Sequence, residues 1–333
     1  MNSHVTSSPH ATTSTDLERL REKLSRHYDI VAQIRLETLG HASPESRVST
    51  LHRFLRATEM QFLPHYFAHP PRWRKLLRRL SRNRTVPDFC VVGPPKCATS
   101  DLAVSVLMHP DIIPPLAKEI PGPDPENWRL YYPTARQKAR HAQRHGLSLS
   151  PYLHPSLHWI EVPHTLAQAR PGAKIVIVLR DPIKRLYSHW KWELFLSGKT
   201  RAERLPFLTT FDAYVDKSLE MHGHGIMFTA SGAPGLIHSI YWKAVEDWIE
   251  CFGRDNVIVL NIADYFSDSI AFMRRIHEFV GLPPMDIPQP RSRTNENPIQ
   301  APPPSEHAIA RLQDFFSPYN DKLWEVIGEH FDW

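Results

Sequence analysis

Three short runs of apolar, largely β-branched residues decide what this chain can become: DFCVVG (88–93), KIVIVLR (174–180) and NVIVLNI (256–262). None alternates polar with apolar, so each predicts a strand buried on both faces. Each leads into helical spacing. SDLAVSVLMH puts Leu102, Val106 and Leu107 inward, DPIKRLYSHWKWELFL opens with Pro182 at the favoured first helical position, and SIAFMRRIHEFVGL follows the third run. Strands alternating with helices predict an α/β fold, a mainly parallel central sheet flanked by crossover helices. Ligands of such sheets gather at the carboxyl ends of the strands.

Two stretches with chemical potential fall there. The first is VVGPPKCATSDL (91–102). A turn into a helix leaves unpaired backbone N–H groups at the positive end of the helix dipole, a ready anion site. Lys96 adds a cation, and Thr99 and Ser100 add hydroxyl donors or caps. The logic is P-loop-like, but the string G-x-x-x-x-G-K-[ST] is absent, since Lys96 precedes Thr99 by three residues. Taken alone, an ordinary capped helix explains the stretch equally well. The second is LRDPIKRLYSHW (179–190), with Arg180 at a strand end and Ser188 on the next helix, one turn beyond Arg185. A salt bridge from Arg180 to Asp181 is the simple account; charge-assisted bonds to a phosphate are the other. Together, two anion sites at strand ends fit a nucleotide with phosphates at both ends.

On these residues the chain resembles the sulfotransferases that use 3′-phosphoadenosine-5′-phosphosulfate (PAPS), nearer the heparan-sulfate and bacterial branch than the cytosolic aryl branch. GPPKCATSDL is similar to that family's 5′-phosphosulfate loop, which implies Lys96, Cys97, Ala98, Thr99 and Ser100 around the sulfate-bearing phosphate. LRDPIKRLYSHW resembles its 3′-phosphate motif, which implies Arg180 and Ser188 as ligands of PAPS and of the product PAP. SVLMHPDI, LAKEIPG, SPYLHPS, FVGLPP and the closing YNDKLWEVIGEHFDW are similar to further family segments, so the resemblance runs from about residue 87 to 333. In the polar loop QPRSRTNENP (289–298) the resemblance offers Arg291 or Arg293 to the 3′-phosphate. The chain departs from the family at Ala98, where glycine is common, at RHGLSL before SPYL, and at PGPDPENWRLYYP after Glu119. The last departure bears on the acceptor, not the donor.

Sulfuryl transfer is an in-line displacement in which positioning and charge stabilisation do most of the catalysis. It needs a group to take the acceptor's proton. The resemblance implies Glu119, in the Lys-Glu pair of AKEIP; an exposed surface pair is the simpler account. Lys96 would stabilise charge on the departing phosphate. His189 and His238 are reserve bases. Ser231 and Tyr241 are weaker candidates for contact with nucleotide or acceptor, while Trp242 and Trp248 read as core. No His/Cys/Asp cluster has metal-ligand spacing. The expected acceptor is a hydroxyl, or an amine, on a small molecule or glycoside.

Upstream, residues 1–15 read as a polar disordered tail and 16–85 as a helical extension, with Leu17, Leu20, Leu24 and Ile30 at helical spacing. RWRKLLRRLSRNR (72–84) reads most simply as a helix with a small apolar face and a solvated basic face; the sharper readings are a peripheral membrane-surface helix or an anionic-substrate contact. The sulfotransferase-like domain then spans 86–333. A hydrophobic content of 41% and a charged content of 23% supply a globular core. Three cysteines without metal spacing, no membrane-length apolar run and no signal-peptide pattern predict a cytoplasmic protein. A net charge of +5 fits an anionic ligand, but basic residues are not interleaved with stacking aromatics, so no nucleic-acid role is expected. Two other classes compete: a P-loop-type kinase, which lacks a clear magnesium aspartate here, and a non-catalytic anion- or membrane-binding protein.

Overall fold

The structure is a computed structural model that describes residues 72–81, 83–120, 128–159, 161–204, 206–223, 235–287 and 299–333, with the side chains of residues 72 and 195–204 left aside. The expected tail, most of the helical extension, Ser231, Arg291 and Arg293 lie outside the described residues.

After helix α1 (Arg72–Arg79) the chain enters strand β1 (Phe89–Val92), helix α2 (Thr99–Leu107), helix α3 (Ala135–His145) and strand β2 (Pro151–His154). Helix α4 (Glu161–Ala169), strand β3 (Lys174–Leu179), helix α5 (Pro182–Arg204) and helix α6 (Phe211–Gly223) follow. Helix α7 (Trp242–Phe252), strand β4 (Val257–Asn261), helices α8 (Ile262–Ser267) and α9 (Ser269–Val280), and helix α10 (Glu306–Ile327) complete the described elements. The sheet has the order β2-β1-β3-β4 and every pairing is parallel. The three expected strands are all present. The fourth, β2, has only four residues and lies beside β1 with Phe89 opposite Pro151.

Burial explains why these runs are strands. Along β3, Ile175, Ile177 and Leu179 face one core with α4, α7 and α10, while Val176 and Val178 face another with α2 and α9. All five are fully buried, and each such side chain contributes about 1.5–3 kcal/mol relative to exposure. A third cluster joins Leu186 and Trp190 of α5 to Tyr214 of α6 and Phe316 of α10. Gly93 is required where β1 ends, because a Cβ there would lie 2.5 Å from the carbonyl oxygen of Val178. That close approach brings the loop after β1 against the end of β3.

The basic helix differs from its simplest reading. Its inward contacts are polar: Arg78 donates to the carbonyls of Leu130 (3.0 Å) and Tyr131 (2.9 Å), and Lys75 lies 5.1 Å from the Tyr131 ring centre. Trp73, Leu76, Leu77 and Leu80 face solvent instead. An arginine can satisfy several main-chain carbonyls at once, and those bonds set which face docks.

Candidate active site

The site is built first from main chain. In the loop between β1 and α2, Lys96 (φ 78°) and Ala98 (φ 51°) adopt left-handed conformations that disfavour any residue with a Cβ. Ala98 occupies the N-cap of α2 without a side-chain cap bond, so no cap side chain covers the first N–H groups of the helix. Cys97 is fully buried, and burial pushes its thiol up to about 12 despite the nearby Arg185 and Arg180 charges; it is a neutral packing residue. Ser100 is buried and Thr99 half-buried on the first turn. The arrangement offers an anion backbone N–H groups and a helix dipole.

Two arginines hold this loop. Arg180, one residue past β3, donates from Nη1 to the Lys96 carbonyl (3.0 Å). Arg185 on α5 is wholly buried and donates to Pro95 O (3.2 Å), Ser239 Oγ (2.6 Å) and Gly235 O. It thereby ties the loop to the short 3-10 helix Gly235–Ser239. Among the described residues no carboxylate forms an ion pair with either guanidinium. Asp181 does not pair with Arg180; its Oδ1 caps α5 by accepting from Ile183 N (2.8 Å). Sequence reading singled out Arg180 but missed the role of Arg185, which only the fold reveals because its partners lie 50–90 residues away.

Arg180 also lines a cleft of about 630 Å³ with Lys184, Tyr187, Phe316, Trp324 and Trp333. Ser188, half-buried two turns into α5, is not among the residues lining that cleft. Tyr241, a candidate for ligand contact, is buried and donates to the Arg180 carbonyl (2.8 Å), holding the strand end in place.

A second group of titratable side chains lies near the ends of β1 and β2. Lys118 is almost wholly buried and pairs with Glu119 Oε1 at 2.9 Å. Glu119 is therefore no surface pair. Burial pushes its carboxyl up, but the Lys118 charge and hydrogen bond, with the charges of His154 and Lys96, outweigh this and hold it below the ordinary carboxylate range. Lys96, Glu119 and His154 thus share one electrostatic neighbourhood. His154 ends β2, and burial first, moderated by Glu119, brings its imidazole down to about 4. Lys96 itself places Nζ 3.3 Å from the ring centre of Trp192 on α5. His154 lies within SPYLHPS and Trp192 just beyond LRDPIKRLYSHW, and neither was a candidate on sequence grounds.

His189 and His238 stand beside the loop as neutral imidazoles. Burial, with Arg185, His238 and Lys96, drives His189 well down, while burial with Arg185 and His158 brings His238 to about 3. His189 Nε2 lies 3.5 Å from Glu193 Oε1, and its ring fills the space that a Cβ at Gly235 would need. Trp248 is buried core, donating to Leu157 O (3.1 Å); Trp242 is half-buried under Lys322.

Residues 86–297 match the sulfotransferase domain, and the chain belongs to that family. Human carbohydrate sulfotransferase 15 is 23% identical over 317 residues, covering 76% of this chain and 55% of that protein. The chain thus spans about half the length of this relative. Mouse heparan sulfate glucosamine 3-O-sulfotransferase 6 is 22% identical over 274 residues, covering 75% of this chain and 74% of that protein. The crystal structure of a sulfotransferase from Alicyclobacillus acidocaldarius shares the fold at a TM-score of 0.50 and 22% identity, covering 74% of this chain and 97% of its own.

Proposed function

We propose that this protein transfers a sulfuryl group from PAPS to a hydroxyl of a small-molecule or glycoside acceptor, with Glu119 as general base. An amine acceptor is the variant of the same chemistry. The observation that carries the reading is the convergence of Lys96, Glu119 and an N-cap without a side-chain cap bond at the carboxyl end of β1. The residues present suit such a donor: left-handed loop residues, a helix N-terminus and two guanidiniums without carboxylate ion pairs among the described residues all favour anions. When bound, PAPS supplies the sulfuryl group, its bond to the 5′-phosphate oxygen breaking as the bond to the acceptor oxygen forms.

The chain's own residues do the rest. Backbone N–H groups of the loop and Lys96 stabilise charge gathering on the departing phosphate. Lys96 leaves the face of Trp192 to do so. Arg180 and Ser188 take the 3′-phosphate, with Arg291 or Arg293 as candidates from the loop. Glu119, ionised at neutral pH, accepts the acceptor's proton, and Lys118 holds its carboxylate in place. The names of the carbohydrate and heparan sulfate relatives support a sugar hydroxyl as acceptor. Mass spectrometry of a metabolite and glycoside pool incubated with the enzyme and PAPS tests the reading. A product heavier by one sulfuryl group, absent without PAPS, is expected; stimulation by ATP and magnesium instead would make the protein a kinase.

A further inference from the structure

Helix α1 presents its apolar side outward. Trp73, Leu76, Leu77 and Leu80 fall at i, i+3, i+4 and i+7, one face of a helix. Their exposures of 56%, 61%, 56% and 78% make them the largest run of exposed apolar side chains in the described residues. The orientation is fixed from behind. Arg78 is tied to the Leu130 and Tyr131 carbonyls, Arg84 donates to Tyr132 O (2.7 Å) and Arg78 O (2.9 Å), and Lys75 leans on Tyr131. The stripe cannot turn inward without giving up those bonds.

Its surroundings are cationic. The eight residues of α1 include five Lys or Arg and no Asp or Glu. Arg79 is exposed beside the stripe, and Arg74 sits 5.7 Å from the Trp73 ring centre. A tryptophan and leucines flanked by arginines combine an apolar insert with a cationic collar, the pattern of helices that lie in a membrane interface.

We propose that α1 docks this protein on an anionic membrane surface, with Trp73, Leu76, Leu77 and Leu80 entering the headgroup region and the arginines meeting lipid phosphates and carboxylates. Charge decides between this and cover by the chain's own upstream residues. Residues 1–71 carry eight Lys and Arg against seven Asp and Glu, so they offer the basic helix no net opposite charge. An anionic leaflet does. Two turns of helix bury little apolar area, so the contact is peripheral and reversible.

The test is co-sedimentation of the full chain with vesicles of phosphatidylcholine alone or with added phosphatidylserine. Enrichment of about tenfold or more on the phosphatidylserine vesicles, lost at high salt, is expected. A Trp73→Glu/Leu77→Glu variant is expected to lose that binding while its melting temperature stays that of the parent. Equal recovery on both vesicle types, or binding that survives in the variant, overturns the proposal. So does a melting temperature several degrees lower in the variant, which would mean that the face is covered by the chain's own residues 1–71.

Discussion

The two halves of the site are made of different material. The loop half is backbone: a loop forced into left-handed turns at Lys96 and Ala98, held through carbonyls of Pro95 and Lys96 by Arg185 and Arg180. The half around Glu119 is side chain: Glu119 is paired with Lys118 and placed by a segment that packs beneath β1 and β2. A cradle of main-chain groups keeps its shape when side chains change. A carboxylate poised by the side chains of Lys118, His154 and Lys96 depends on each of them.

The largest effect expected is one that separates the halves. Glu119→Gln keeps size and hydrogen bonding but cannot take a proton. Turnover is expected to fall by about 10²–10⁴-fold while PAP affinity, measured by calorimetry, stays within a small factor of the parent. Near-normal turnover would dissolve the distinction and move the base to His189 or His238.

A smaller effect is expected from the other side. Arg185→Lys replaces a planar fork making three bonds by a single ammonium. Losing one charged hydrogen bond costs roughly 1.5–3 kcal/mol, so PAP affinity is expected to weaken about tenfold or more, with a lowered melting temperature. If instead melting falls and PAP affinity does not, Arg185 supports the fold without shaping the donor loop.

A separate effect, on stability and not on turnover, is the pH dependence of the buried histidines. His154 and His158 are held at about 4, His238 and His277 at about 3, in each case chiefly by burial. The folded protein binds these protons later than the unfolded chain, whose histidines titrate near 6.5. Stability is therefore full above about pH 6.5 and is lost as pH falls from there toward about 3. Melting curves across that range check it; a flat melting temperature would contradict the buried, neutral assignment. Because Glu119 titrates below the ordinary carboxylate range, its acidic limb falls where the fold is already weakened. Turnover of the Gln variant is the cleaner reading.

How much of this the sequence disclosed follows the same division. Runs such as KIVIVLR announce buried strands because they satisfy two cores at once, and GPPKCATS announces a loop because backbone geometry leaves a local signature. The short β2 was missed as a strand: PYLH has four residues and begins with proline, and parallel pairing to β1 is a long-range fact. Arg185 looked like a helix-face neighbour of Ser188 and proved to be a buried tie, since its three partners are distant in sequence. The outward stripe of α1 was likewise hidden, because periodicity locates a face without saying which face docks.

In the proposed function, the loop after β1 and the arginine after β3 together hold a nucleotide bearing phosphate at both ends. Calorimetric comparison of PAP with adenosine 5′-phosphosulfate, which lacks the 3′-phosphate, tests it most directly. PAP is expected to bind at least about tenfold more tightly, the worth of one charge-assisted bond or more. Equal affinity for the two ligands would contradict it.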